Sequence, residues 1–394
     1  MKKIIVKIIK CIVSLILVAL LAIVVTSVSL VYNFDEPNPF SGKDVFNPYL
    51  NFDSNVGWSR ANFHTHTRVE GPLNECEYTP QQTLDAYVPY GYDIITISNH
   101  NEITSHPVSD SRAYEHGYNI AKFHKLVFGA EKVWAFDNLF PIFPFQKQFQ
   151  LDMLAKQSDF VVLNHPLRTH TMTNSQLAKI GGYRIIELDS GKSTENEYWD
   201  AALSAGRYSF GVANDDLHYP DRSYAIAMRS NMLCTQGVGY NDIRRTLLDG
   251  CFYAMRTPDY GSGDWAIKAE RNNSIPTIGN IGLTDCGEIY LKLSEKADSI
   301  KVIGQNHTIL AVANDTDSLG YAMRPTDSYG RFTAYFADGE VIYTNPFARY
   351  NAEVAESPFA TMYNVNMALT VLYNIVVAVL AMFIVFLFYK LIKL

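Results

Sequence analysis

The chain has 394 residues and a formal net charge of -7, from 33 basic and 40 acidic side chains. Because it has no excess of positive charge to neutralise a phosphate backbone, nucleic acid is excluded as an expected partner. Charged residues make up 19% of the chain and hydrophobic residues 48%, which argues against disorder and for lipid-facing segments. Between two apolar ends lies a body of roughly 330 residues, enough for about two domains.

Both ends of the chain are predicted to be transmembrane helices. Residues 11–32 carry no charge and can cross a hydrocarbon core of about 30 Å, and residues 365–389 are almost wholly apolar. An uncleaved anchor is favoured over a signal peptide, because the first segment is long and has no clear cleavage site. The positive-inside rule predicts two passes, both termini cytoplasmic and the body extracytoplasmic. The lysines that carry this prediction are Lys2, Lys3, Lys7, Lys10, Lys390 and Lys393.

The first part of the body alternates short apolar runs with helical stretches. Continuous runs of five or six residues suit strands that are buried on both faces of an α/β sheet or barrel. Ahead of the first run, Thr79 and Pro80 can begin a helix that ends near Gly91. The runs lie at 93–98, 160–164, 184–188 and 209–214.

Beyond about residue 258 the pattern changes to strict alternation of apolar and polar residues. It is clearest in 288–294 and 331–336, and Asp338-Gly339 supplies a hairpin turn after the second segment. We therefore predict a small antiparallel β-sandwich. Four body cysteines, Cys76, Cys234, Cys251 and Cys286, permit three disulfide pairings, and buried free thiols are the alternative.

Nine of the ten histidines precede residue 219, and several flank predicted strands. The two-residue spacing of His64 and His66 directs both imidazoles to one face of a strand. Because the carboxyl ends of the strands in an α/β barrel meet at one mouth, we expect a metal site there. Further candidate ligands are His100, His165, Asp216 and His218, each after a predicted strand, and the carboxylates Glu70 and Glu131.

The remaining histidines lack this placement beside strands. A single histidine is more often a hydrogen-bonded structural residue than a metal ligand. His106, His116, His124 and His307 are therefore expected to have surface or structural roles, and His170 is left open.

The order of these motifs resembles the PHP family, named for its polymerase and histidinol phosphatase members. The matching pieces are NFHTHT, ISNHN, GAEK, LNHP and NDDLH, which span about residues 61–218. The resemblance implies a distorted seven-stranded β/α barrel, a metal centre of two or three ions and phosphoester hydrolysis. On the family pattern His64, His66, Glu131 and Asp216 would hold one metal, His100, His218 and Glu70 a second, and His165 with Glu131 a third.

Three departures from the family pattern limit this expectation. Glu70 lies one position early, and Asn99 replaces the aspartate expected before His100, which removes a carboxylate that would orient a ligand. No histidine lies between Glu131 and His165 to complete a third site. We therefore expect two divalent ions, and a mixture of histidine and carboxylate ligands admits zinc, manganese or iron.

The chain is accordingly predicted to be α/β, with a PHP-type (β/α)7 barrel, a β-sandwich and two flanking transmembrane helices. The predicted segments are an N-terminal tail and helix (1–32), a linker (33–58), the metal-binding barrel (59–258), the sandwich (259–350), a second linker (351–364) and a C-terminal helix (365–394).

The predicted activity is that of a membrane-anchored phosphoesterase that uses water activated by two metal ions. Its substrate would be a phosphorylated or amphiphilic small molecule or a lipid-linked compound, and its other partner the bilayer. Arg168 could bind the substrate anion, with a surface role as the alternative. One alternative function is amide or carbamate hydrolysis, because the β domain ending in IYTNPF resembles an appendage in a branch with such members. Another is a catalytically silent metal-binding scaffold, which the changes at Asn99 and Glu70 favour.

One aromatic stretch, residues 132–149, follows Glu131 directly. It could line an apolar substrate pocket, lie in the bilayer interface, or form a buried helix of the barrel. Its large rings are Trp134, Phe136, Phe140, Phe143, Phe145 and Phe149.

Overall fold

The computed structural model describes residues 2–71, 74–104, 112–118, 120–166, 172–190, 193–194 and 196–393. The architecture is mixed α/β with one long apolar helix at each end of the chain. The predictions for His106, Arg168 and His170 lie outside the described residues.

The helices and strands follow one another in the order of an α/β body and then a largely β region. The helices are α1 (Lys2–Val25), α2 (Pro80–Tyr87), α3 (Pro144–Ala155), α4 (Asn174–Leu177), α5 (Asn196–Ser204), α6 (Tyr240–Asp249), α7 (Trp265–Asn272) and α8 (Met367–Lys393). The strands up to residue 256 are β1 (Tyr32–Phe34), β2 (Asp44–Phe46), β3 (Ser59–Thr65), β4 (Ile94–Ile97), β5 (Tyr114–His116), β6 (Lys125–Phe128), β7 (Phe160–Leu163), β8 (Ile185–Ser190), β9 (Ser193–Thr194), β10 (Phe210–Asn214), β11 (Arg229–Leu233) and β12 (Phe252–Arg256). The later strands are β13 (Ile278–Leu283), β14 (Glu288–Gly304), β15 (Thr308–Ala322), β16 (Tyr329–Tyr335), β17 (Val341–Thr344), β18 (Phe347–Tyr350) and β19 (Tyr363–Val365).

The four apolar runs predicted as strands form β4, β7, β8 and β10. Helix α2 begins at the predicted Thr79-Pro80 pair, where the Thr79 hydroxyl accepts a hydrogen bond from the amide of Gln82 at 3.3 Å. The Gln82 side chain in return accepts from the Thr79 amide at 2.9 Å. Two orphan amides at the start of the helix are thereby satisfied, as in a capping box.

Seven strands connect into a ring in the order β3, β4, β5, β6, β7, β8, β10 and back to β3. Most links are strand pairs, and two are single bridges, Thr65 with Leu217 and His100 with Glu115. Neighbouring strands are parallel except at β6, which is antiparallel to both β5 and β7. Strand β6 therefore begins at the end of the ring where the other strands finish.

A second sheet connects this ring to the C-terminal β region. It has 11 strands, and its main path is β13-β14-β16-β17-β12-β11-β3-β4. The sheet crosses the predicted boundary at residue 258 without interruption, because β17 pairs with β12. Helix α7 lies inside the range predicted as β and begins at Asp264, whose carboxylate accepts from the amide of Ala266 at 3.1 Å. The predicted turn at Asp338-Gly339 joins β16 to β17, and Gly339 adopts φ 99° there.

The described residues form three apolar cores. The largest contains residues of the ring strands and their helices, such as Phe128 and Trp199, and the second packs Ile289 and Phe332 in the C-terminal region. The third, smaller core contains Leu84 of α2 and Ile95 of β4. A buried ion pair joins the ring and the C-terminal region: the Asp200 carboxylate of α5 accepts from the Arg331 guanidinium of β16 at 2.9 Å.

All five cysteines are free thiols. Cys76, Cys234 and Cys251 are buried, and the amide of Cys234 donates to the carbonyl of Cys251 at 3.1 Å. Cys286 is exposed in the turn between β13 and β14.

Within the described residues, two helices, α1 and α8, are long and apolar enough to span a membrane. The first ends at Val25, earlier than the predicted segment 11–32, and it begins at the lysine-rich end of the chain. Its end is explained by hydroxyl groups that bind the last carbonyls: Thr26 donates to Ala22 at 2.8 Å and Ser27 donates to Val24 at 2.7 Å.

Helices α1 and α8 pack side by side and run antiparallel. We call this pair the hairpin, although the whole body of the chain lies between the two helices. Beyond the hairpin β1 pairs antiparallel with β19. The Asn374 side chain of α8 donates to the Ser29 carbonyl at 2.8 Å, and the Tyr373 hydroxyl donates to the Ser27 carbonyl at 2.9 Å. The beginning of α1 and the end of α8, where the lysines lie, are therefore at the same end of the hairpin.

Candidate metal centre

Eight side chains converge at one end of the strand ring, and we call them the histidine cluster. Most of them end or follow strands of the ring, whereas His124 immediately precedes β6. The reversed direction of β6 explains this exception, because its first residue lies where the neighbouring strands finish. The members are His64, His66, His100, Glu115, His124, His165, Asp216 and His218.

Glu115 is the centre of the cluster. It is 1% exposed, lies on β5, and its two carboxylate oxygens face five imidazoles. The shortest distances to Glu115 are 3.3 Å from His64 Nε2, 3.4 Å from His66 Nε2, 3.2 Å from His100 Nε2, 3.2 Å from His124 Nδ1 and 3.3 Å from His165 Nε2.

Asp216 is the second carboxylate that faces the imidazoles. Its Oδ1 lies 3.3 Å from His64 Nε2 and 3.2 Å from His66 Nε2. Asp216 and His165 adopt positive φ values of 52° and 23°, which residues other than glycine rarely adopt. Such backbone strain persists only where surrounding structure enforces it, and it is concentrated at functional sites.

The donor atoms fit a bound metal ion. Two ligand atoms that are each about 2.1 Å from a tetrahedral ion lie roughly 3.4 Å from one another. The distances of 3.2 and 3.3 Å from Asp216 to the two imidazoles approach that value. The Nε2 atoms of His64 and His66 are buried and make no hydrogen bond within the described residues, so their lone pairs are available. The groups of donors that could hold an ion are His66/His100/His218, His64/Glu115/His165, His64/His66/Asp216 and His100/Glu115/His124.

Glu187 orients the cluster from behind. It is fully buried on β8, and its Oε1 lies 3.0 Å from His64 Nδ1. It also accepts from the amide of His165 and from the side chain of Asn214, each at 3.0 Å. A carboxylate at Nδ1 leaves His64 Nε2 free to face the cluster, which is the usual arrangement behind a metal-binding histidine. Sequence analysis missed Glu187, although it lies in the predicted strand 184–188.

The electrostatics of the cluster favour anionic carboxylates and neutral imidazoles. Burial, together with the neighbouring His218 and His100, holds the pKa of His66 well below its usual value. Burial also lowers the pKa of His124 to about 4, although Glu115 opposes the shift. For Glu115, burial raises the pKa, but the surrounding imidazoles outweigh it and hold the pKa well below its usual value. Neutral imidazole and ionised carboxylate are the protonation states that bind metal ions.

His64 and His100 are exceptions among the imidazoles, because burial lowers the pKa of each but neighbouring carboxylates outweigh it and raise the pKa. For His64, Glu115 and Glu187 raise the pKa to about 9. A cation bound between these groups would replace the proton on His64.

Glu131, predicted to share a metal with His64 and His66, lies outside the cluster and is exposed. It follows β6, whose final residues lie at the opposite end of the ring because the strand is antiparallel to its neighbours. Glu115, and not Glu131, is the carboxylate that lies beside His64 and His66. The prediction of Glu131 rests on the resemblance of the GAEK segment to a family motif.

Glu70 is also exposed and does not reach the imidazoles. The loop that carries it folds back, with the Arg68 amide donating to the Tyr78 carbonyl at 2.6 Å. This path brings Glu75 to the rim of the cluster, where Oε2 lies 3.4 Å from His100 Nε2 and 3.3 Å from His218 Nε2. Hydrogen bonds from these two imidazoles lower the pKa of Glu75.

His124 was expected to be structural, but it is buried within the cluster. The reason for expecting only two ions was the lack of a histidine between Glu131 and His165. With Glu115 as the carboxylate, His124 lies between Glu115 and His165 and completes a further donor group.

His116, His307 and Asn99 have structural contacts. His116 stacks on Trp134 with ring centroids 5.3 Å apart, and His307 binds Asp200. Asn99 ties the ends of β3 and β4 together, because its side chain accepts from the Thr67 amide at 2.7 Å.

No protein-family model matches the sequence, and no curated protein does. Among solved structures, the chain is similar to a two-domain protein from Bacteroides vulgatus ATCC 8482 that contains a predicted PHP-like metal-dependent phosphoesterase. The identity is 15%, the TM-score is 0.39, and the match covers 80% of this chain and 100% of that one. So remote a likeness carries no argument about chemistry, and the function is therefore inferred from the geometry of the histidine cluster.

Proposed function

We propose that the protein is a metal-dependent phosphoesterase anchored in a membrane, with the histidine cluster as its active site. The observation that carries this proposal is the buried Glu115, with five imidazoles within 3.4 Å of its carboxylate oxygens. The five imidazoles and the carboxylate together supply more ligand atoms than a single ion needs. We further interpret the ring of seven strands as the distorted barrel that the sequence predicts.

The roles of the chain's own residues follow from their contacts. Glu115 belongs to two of the donor groups and would help to hold an ion in either of them. Asp216 would hold an ion with His64 and His66, and Glu187 would orient His64 with its Nε2 toward the cluster. When bound, divalent cations supply an activated water and stabilise charge on a phosphoryl oxygen. Glu75 is 35% exposed at the rim, where it limits the approach of substrate to the imidazoles of His100 and His218.

The test compares two isosteric variants of the full chain purified in detergent. After incubation with zinc, manganese and iron, metal content is measured by mass spectrometry and hydrolysis on a panel of phosphomonoesters and phosphodiesters. Glu115→Gln should lose bound metal and at least about 100-fold of the activity, because it loses a shared ligand. Glu131→Gln, which changes an exposed carboxylate, should behave as wild type.

Three results would change the proposal. Wild-type protein with less than one ion per chain would exclude a metal-dependent enzyme. Bound metal without hydrolysis of any substrate would favour the catalytically silent scaffold. Amides and carbamates are tested alongside the phosphoesters, and turnover of these alone would retain the metal centre and change the reaction class.

The membrane anchor is proposed from α1 and α8. Their side chains are exposed along their length: Leu15 is 65% exposed and Met382 64% exposed. Apolar surface of this extent is stable only in lipid or against another protein. Because both lysine-rich chain ends lie at one end of the hairpin, the positive-inside rule places them together in the cytoplasm and the body on the opposite side.

We assign the aromatic stretch to the bilayer interface. Ile142 is 70% exposed, Phe143 49% and Phe140 43%, whereas Phe145 packs on Tyr373 of α8 with ring centroids 5.1 Å apart. The segment is attached to the end of α1 by Asn138, which donates to the Thr26 carbonyl at 2.6 Å. Exposed aromatic side chains next to the outer ends of two spanning helices are typical of the headgroup region.

A further inference from the structure

A second candidate site lies at the opposite end of the strand ring. A cavity of about 330 Å³ opens beside the first residues of β7, β8 and β10, whereas the histidine cluster lies beyond their last residues. Its size is at the lower end of the range for small-molecule pockets. Part of its wall is formed by Phe359, Ala360 and Thr361, just before β19 and the apolar helix α8. We call this space the anion cavity, because two arginines line it.

Two arginines line the anion cavity without a carboxylate partner in the part of the chain that the structure describes. Arg207 is 4% exposed and donates to the carbonyls of Ala178 at 3.1 Å and Asp35 at 3.0 Å. Arg184 donates to the Leu248 carbonyl, and its guanidinium carbon lies 3.4 Å from the centroid of the Phe359 ring. Backbone carbonyls accept hydrogen bonds but do not neutralise a full positive charge.

Donor capacity remains unused on these side chains. Arg184 Nε, Arg207 Nη1 and the Tyr183 hydroxyl are buried and make no hydrogen bond within the described residues. The one carboxylate in the wall, Asp159, is already engaged by Arg244 Nε at 3.0 Å and by the Tyr240 hydroxyl at 2.7 Å. Burying unpaired cations and donors is costly, so a bound anion would relieve a cost that the protein otherwise carries.

The geometry points to a phosphate-bearing ligand. We propose that the anion cavity binds a phosphate group through Arg184, Arg207 and Tyr183, whether it belongs to a small soluble phosphate or to a lipid headgroup. Guanidinium forks match the oxygens of phosphate, and the apolar wall formed by Phe160, Val161 and Phe359 accepts the carbon portion of such a ligand. This site does not depend on the metal centre or on the reaction proposed for it.

The experiment measures the melting temperature of the full chain in micelles of dodecyl maltoside, a phosphate-free detergent, at constant ionic strength. One arm adds inorganic phosphate or glycerol 3-phosphate, and the other adds phosphatidylglycerol to the micelles. Stabilisation in the first arm supports a soluble ligand, and stabilisation in the second alone supports a lipid headgroup. Absence of stabilisation in both arms overturns the proposal.

Two variants test whether phosphate stabilises the protein by binding in the anion cavity. Arg207→Gln should weaken phosphate binding by about tenfold or more, because it removes a charged donor. Tyr183→Phe removes a hydroxyl that makes no hydrogen bond to any described residue, so it should keep the fold and weaken binding by about fivefold.

Arg245→Gln is the matched control, since Arg245 is 59% exposed and pairs with Asp242 on the surface of α6. It should bind phosphate as the wild type does. Equal stabilisation of Tyr183→Phe, Arg207→Gln and the wild type would show that phosphate binds elsewhere and would overturn the assignment.

Discussion

Glu115 and Asp216 concentrate negative charge among imidazoles that are almost wholly buried. Five of the six cluster histidines lie within 3.4 Å of one or both of these carboxylates. Replacement of one histidine at the edge of the cluster should therefore remove one metal ion and leave the other ligands able to bind theirs.

Replacement of His124 by alanine tests this at the scale of one residue. His124 belongs to only one of the donor groups, with His100 and Glu115. We expect the variant to bind about one ion fewer per chain than wild type, because the other groups keep their ligands. Mass spectrometry of the purified protein measures the ion count. His307→Ala, a histidine in the β region, should leave it unchanged, and an unchanged count in His124→Ala would restrict the centre to fewer ions.

The buried pair of Asp200 and Arg331 gives a prediction about stability. The two side chains are 2% and 1% exposed, so Asp200→Asn leaves a buried guanidinium without its counter-ion. Removing one partner of such a pair costs about 3–5 kcal/mol of the free energy of unfolding. Denaturant titration of the solubilised chain measures this cost. Asp315→Asn, which breaks an exposed pair with Lys296, should cost no more than about 0.5 kcal/mol.

The same pair predicts how stability depends on pH. Burial raises the pKa of Asp200, but Arg331 and then His307 outweigh burial, and the folded pKa lies below the usual 3.8. A carboxyl group with a depressed pKa contributes stability above its unfolded pKa, and this contribution is lost as pH falls through the folded pKa. The difference in unfolding free energy between wild type and Asp200→Asn should therefore be constant at neutral pH and shrink below about pH 4. A difference that grows on acidification would contradict this assignment.

At the scale of elements, the loop before α3 connects the body to the ends of the membrane helices. Asn138 and Gln146 donate to backbone carbonyls at the end of α1, at 2.6 Å to Thr26 and 3.3 Å to Ser27. These hydrogen bonds fix the position of the exposed Phe140 and Phe143 rings along the axis of α1. The loop is therefore placed by the same residues that end the first span.

Tryptophan quenching measures whether this loop enters the bilayer interface. In liposomes of brominated phosphatidylcholine, Phe143→Trp should show more quenching than wild type, because bromine atoms quench only tryptophans in contact with lipid. Tyr335→Trp, at an exposed position on β16 in the C-terminal β region, should show no added quenching. Equal quenching in both variants would remove the loop from the interface.

At the scale of the whole molecule, a helical hairpin, a strand ring and a β region are joined through shared elements. The ladder of β1 and β19 connects the hairpin to the body, and one sheet of 11 strands connects the ring to the β region. The position of the hairpin therefore determines on which side of the membrane the whole body lies.

Cys286 is a natural probe of this topology. It is exposed in the turn between β13 and β14, whereas the other cysteines of the body are buried. A membrane-impermeant maleimide added to intact cells should label the wild-type chain, because the body is proposed to face outward. Cys286→Ser should abolish the labelling. Labelling that requires permeabilised cells would reverse the orientation.

The sequence alone determined the elements whose signal is local. Apolar runs of five or six residues predicted β4, β7, β8 and β10, because a strand buried on both faces needs no partner to be recognised. Five histidines and one aspartate on or after predicted strands were expected as ligands, since strand ends set their direction, and all six belong to the cluster. These are His64, His66, His100, His165, Asp216 and His218.

Only the tertiary structure decided which carboxylates complete the cluster. Glu115 replaces Glu131 because β6 runs against its neighbours, and strand direction depends on pairing between distant segments. The same reversal brings in His124, which no local pattern distinguishes from a structural histidine. Glu75 replaces Glu70 because the loop after β3 folds back on itself, which the spacing of residues does not encode. Local periodicity thus located the strands and their histidines, while long-range pairing selected the carboxylates among them.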